Sequence, residues 1–98
     1  HYEERLRLVL ASALRDLAAD LLTEASAVGT LSVAAAQALA REHVAGARDK
    51  LDEVLGVLEH DGYLVRSTGG HTFVSRLVHD WWQARFGANW VSVAGRGL

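Results

Sequence analysis

The chain has 98 residues, half of them hydrophobic, with no cysteine, proline or methionine and a formal net charge of −2. That length holds one domain at most, and without cysteine neither disulfides nor a thiolate metal site can support it, so its stability must come from apolar packing. The near-neutral charge removes the electrostatic footprint that usually announces nucleic-acid binding. No stretch reads as a signal peptide or a membrane span, so a soluble, cytoplasmic chain without a membrane partner is expected.

The first third has helical period. Leu6, Leu10, Leu14, Leu17 and Leu21 recur at steps of three and four, while Glu3, Arg7, Arg15 and Asp20 fall mostly elsewhere. The pattern ends at Gly29; alanine and serine leave open whether Tyr2 to Val28 is one helix or two with a break near Ser12. The chain begins at His1 and opens directly into this charged pattern, which reads as a piece cut from a longer protein. Thr30-Leu31-Ser32 reads as a short extended link, with Ser32 as N-cap of a helix over about Val33 to His43. Val33, Ala36, Leu39 and Ala40 form its apolar face. After Ala45-Gly46 a third helix is expected over Ala47 to Glu59, carrying Leu51, Val54, Leu55 and Leu58, with Gly62 as its C-terminal cap.

The period then changes. "YLVRS" (Tyr63 to Ser67) and "HTFVS" (His71 to Ser75) are two β-prone runs around Thr68-Gly69-Gly70, a hairpin signature in which the glycines supply positive φ. A last helix follows, capped by Ser75, with Leu77, Val78, Trp81, Trp82 and Phe86 on one half of the cylinder. Both tryptophans are read as core, packed against the first helix and the hairpin, the alternative being an exposed aromatic platform. Arg85 projects into the same stripe, where it could lie over Trp81, pair with an acid of the first helix, or snorkel to solvent. The expected core is Leu17, Leu21, Leu39, Leu55, Leu58, Phe73, Leu77 and Trp81. The fold class is therefore mainly α with a small β-hairpin, and the order α, β, α, α, β, β is that of a winged helix. We divide the chain into a helical lead-in (1–12), a winged-helix domain (13–87) and a C-terminal tail (88–98). The tail is expected to fray, although Trp90, Val91 and Val93 could add a strand or cover a groove.

At "VLEHDGYLVR", a glycine turn and "FVSRLVHDWW", the sequence resembles the winged-helix module that follows the nucleotide-binding core of bacterial P-loop ATPases of the AAA+ and STAND groups. The resemblance covers about residues 13 to 86. It rests on Leu58, Asp61, Gly62, Tyr63 and Leu64 before the wing, and on Phe73, Ser75, Leu77, Asp80, Trp81 and Trp82 after it. It implies a regulatory or assembly role, with the module's own ATPase core, a sister subunit or an effector as protein partner, or DNA binding as in origin-recognition relatives.

No catalytic, cofactor or metal site is expected. There is no G-x-x-x-x-G-K-[ST] loop, and Gly69-Gly70 lies between two strands, away from any helix N-terminus that could cradle phosphate. His43, His60, His71 and His79 have no metal-ligand spacing, and His60 beside Asp61 is the nearest approach to a ligand pair. In a helix-turn-helix the third helix would enter the major groove, yet its exposed positions include Asp49, Asp52, Glu53, Glu59 and Asp61 against Arg48 and Lys50. The wing adds a small basic spot of Arg66 and His71, with Arg76 beyond. This balance favours a protein partner and disfavours nucleic acid, and Arg48, Lys50, Glu53, Arg66 and Arg76 are the candidate interaction residues.

Overall fold

A computed structural model of the chain describes residues 12–96. The lead-in over 1–12, apart from Ser12, and the stripe residues Leu6 and Leu10 lie outside the described residues. The chain is mainly helical with one three-stranded antiparallel sheet. In order it forms α1 (Ser12–Val28), β1 (Leu31–Ser32), α2 (Val33–Arg41), α3 (Ala45–Arg48), α4 (Leu51–His60), β2 (Leu64–Ser67), β3 (Gly70–Phe73), α5 (Arg76–Phe86) and a short 3-10 turn (Ala94–Arg96).

The expected punctuation is present at atomic detail. The Ser32 hydroxyl accepts from the Ala35 amide at 3.0 Å and that of Ser75 from the Val78 amide at 3.2 Å, so each satisfies a free donor at its helix start. α4 closes at Gly62, whose φ of +82° lets the Tyr63 amide donate to Leu58 and the Gly62 amide to Glu59. That double closure is a Schellman motif, and it turns Tyr63 inward beside Leu58, both fully buried.

The sheet has the order β1-β3-β2, with Leu31 opposite His71 on one side of β3 and Leu64 opposite Phe73 on the other. The link Thr30-Leu31-Ser32 thus becomes an edge strand, and the hairpin is two strands of three. The two glycines of the hairpin have different tasks. Gly69 holds the positive φ of the turn, +80°. Gly70 lies where a Cβ would run into the Leu31 carbonyl, so its missing side chain is what lets β1 approach β3.

α1 packs against α2, α3, α4, α5, β1 and β3, and its Leu17, Leu21 and Leu22 are fully buried among Leu31, Leu39, Val54, Leu58 and Tyr63. The apolar stripe of α5 is centred one residue later than expected. Trp82 is 2% exposed and Val78 is buried, whereas Trp81, Leu55 and Phe73 are half-buried and Leu77 is 78% exposed. The reason lies in the partners: the Trp82 indole N–H donates to Thr23 Oγ1 at 3.0 Å, and its ring meets Tyr63 edge-on and Phe86 at 4.4 Å. A helix that aims position 82 at α1 carries position 77 away from it, because five residues advance about 500° at 100° each. Trp81 instead lies at the border, with the Arg85 guanidinium 5.4 Å from its ring centroid.

Two further expectations are corrected. The third helix is interrupted: α3 ends at Arg48 with Asp49 as its cap, and α4 follows Lys50, whose backbone (φ −113°, ψ 23°) departs from the helix. Burial of Ala47 against the core and the reach of Arg48 Nη2 to the Arg41 and His43 carbonyls, 3.3 and 3.4 Å, hold α3 at its own angle. The tail is docked through Arg96. Trp90 Nε1 and the Val93 amide both donate to Glu24 Oε1, at 2.9 and 3.1 Å, and Glu24 is only 3% exposed. Arg96 lies over the Trp90 ring and bonds both oxygens of Glu42.

Candidate interaction surface

Between α2, α4 and the sheet lies an open groove of about 430 Å³. Val33 and Ala36 form one wall and Leu51, Leu55 and Gly56 the other, with Glu59, Arg66 and His71 at the sheet end. Val33 is 56% exposed there. These positions follow from the local folding described above: Ser32 starts α2 with Val33 outward, the Lys50 break sets the angle of α4, and the Schellman turn brings β2 back beside Glu59.

The sheet end is an ion cluster. Glu59 Oε2 lies 2.7 Å from His71 Nε2 and 3.2 Å from Arg66 Nε. The His71 hydrogen bond first, and then the Arg66 hydrogen bond, hold the Glu59 carboxyl below its ordinary value, against a smaller opposing effect of burial. On α5, His79 places Nδ1 2.8 Å from Asp80 Oδ1 and Nε2 2.9 Å from the Ser26 carbonyl, which ties α5 to the end of α1. That His79 bond is the largest cause lowering the Asp80 carboxyl.

The five residues expected to carry interaction are dispersed. Only Arg66 lines the groove, and although its side chain is 82% exposed it is engaged by Glu59. Lys50 and Glu53 pair with each other at 3.5 Å on the outward side of α4. Arg48 is turned to backbone carbonyls. Arg76, 86% exposed, pairs with Asp80 at 3.2 Å and borders a separate shallow depression with Phe73 and His79. Asp52 and Gly56 also line the groove, and neither was among the expected interaction residues. The available signal was their spacing with Glu59, positions i, i+4 and i+7 of one helix face.

Among the described residues no cluster of three or more His, Asp or Glu side chains could hold a metal, and no helix is long and apolar enough to cross a membrane. Comparison with known protein families, curated proteins and solved structures finds no match for the chain.

Proposed function

We propose that the chain is a non-catalytic winged-helix module that docks on protein, as a regulatory or assembly domain of a bacterial P-loop ATPase. In this reading the partner is the ATPase core, a sister subunit or an effector. The order of helices and strands, with β1 paired to β3 of the hairpin, supports the winged-helix assignment. The sequence resemblance supports the ATPase setting.

The observation that carries the protein-docking role is the charge of α4 and its flanks. Asp49, Asp52, Glu53, Glu59 and Asp61 outnumber Arg48, Lys50 and Arg66 there; Arg48 turns to carbonyls, Lys50 and Arg66 pair with Glu53 and Glu59, and Arg76 on α5 pairs with Asp80. A duplex-binding face needs several cations directed at phosphates, with affinity that falls steeply as salt rises. Here each wing arginine would first have to leave its acid. Scattered charges of both signs suit the rim of a protein interface.

Titration with random and genomic duplexes at physiological salt tests this. The expected result is no specific binding, with weak salt-sensitive association at low ionic strength. Sub-micromolar binding that is lost on Arg66→Glu and kept on Glu53→Ala would make nucleic-acid recognition the function instead.

A further inference from the structure

Gly56 lies in the interior of α4, on its exposed face, and nothing inside the domain requires it. Its backbone is helical, and a Cβ added there would meet nothing within 4 Å. Glycine at an exposed helix interior is destabilising relative to alanine, and no internal contact offsets that loss. What it creates is a notch in the groove wall. Val33 faces the notch from α2, and the half-buried Leu51 and Leu55 flank it on α4. One turn before it stands Asp52, whose carboxylate engages no side chain among the described residues; Glu59 follows three residues after.

We propose that this groove receives a segment of a partner protein that seats an aliphatic side chain in the Gly56 notch and directs a lysine or arginine at Asp52. The inference rests on the protein-docking reading and names the partner's chemistry. The apolar walls call for an aliphatic group, since exposed apolar surface beside a polar rim is stabilised by exclusion of water. The sign of the rim selects a cation: Glu59 is already bonded by Arg66 and His71, which leaves the Asp52 carboxylate as the unmatched charge of the groove. A basic segment is drawn to this face and an acidic one repelled. The missing Cβ lets the partner chain lie closer to α4 than any side chain at position 56 would allow.

The test is selection of random displayed peptides of about twelve residues on the whole chain, followed by solution titration of the enriched peptides made synthetically. Enriched peptides should place Leu, Ile or Val three or four residues from Lys or Arg, and shift the amide resonances of Val33, Leu55 and Gly56. Gly56→Arg fills the notch and offsets the Asp52 charge while improving helix propensity; it should weaken binding by at least about tenfold. Asp52→Asn, which leaves the walls intact, should weaken it by about threefold and flatten its salt dependence. Resonance mapping on the unaltered chain locates the peptide even if a variant folds poorly. Enrichment of acidic peptides, binding indifferent to Gly56→Arg, or no enrichment at all would overturn the groove assignment. In the first two cases protein docking itself survives at another surface or with another partner. Failure of the peptides together with sub-micromolar duplex binding would remove both.

Discussion

Replacing Trp82 and Trp81 in turn by alanine separates the two indoles that the sequence places side by side. Trp82 is 2% exposed, bonds Thr23 and contacts Tyr63 and Phe86, so Trp82→Ala removes a large buried group and leaves a cavity between α1 and α5. That change costs about 3–5 kcal/mol. The Thr23 hydroxyl is not orphaned, because it still donates to the Ala19 carbonyl at 2.7 Å, so loss of the indole bond adds only about 1 kcal/mol. Trp81 is half-buried with its outer side under Arg85, and Trp81→Ala should cost about 1–2 kcal/mol from the smaller apolar area involved. A domain this size has about 5–15 kcal/mol of total stability, so the first variant approaches unfolding and the second does not. Urea denaturation followed by far-ultraviolet circular dichroism measures both, free of the altered tryptophan fluorescence. Equal losses, or a greater loss at Trp81, would refute the placement of the α5 stripe on Val78 and Trp82.

The hairpin glycines should respond differently to alanine: Gly69→Ala strains only a positive φ, about 1–2 kcal/mol, whereas Gly70→Ala pushes β1 off β3. Amide exchange at β1 and β3 checks this; a Gly70 variant with undisturbed protection there would refute the close approach. For Glu59, a carboxyl lowered in the folded state contributes stability that is whole above its ordinary value and is lost as pH falls through the lowered one. Its carboxyl carbon should therefore titrate below an ordinary glutamate, and His71→Phe, which removes the donor, should move the midpoint upward; a midpoint unmoved by His71→Phe would refute the cluster.

Local signals made much of this architecture readable. Ser32 and Ser75 cap because a hydroxyl before an apolar run can reach the free amides, and Gly62 stops α4 because a left-handed residue suits that turn; neither depends on distant residues. Where a distant partner decides, the sequence was silent or misleading. Adjacent positions 81 and 82 differ by one helical step, and only Thr23 and Tyr63 across the core select Trp82. Leu31 reads as link or strand until β3 is beside it, and Gly70 reads as a turn residue until its neighbour is known to be the Leu31 carbonyl. Glu24 looks in sequence like one more acid of a helix, although its carboxylate is buried under the tail. The groove was only partly legible for the same reason: Arg66 stood out by charge, while Gly56 matters through what lies opposite it on α2.

The clasp at Glu24 also bears on the order in which the chain can become complete. Its donors, Trp90 and Val93, lie 66 and 69 residues downstream, so α1 carries a carboxylate whose partners are made well after it. Contacts of such separation are slow to form. Trp90 and Val93 therefore fasten α1 from far along the chain, and a cut at Gly87 would separate Glu24 from both donors.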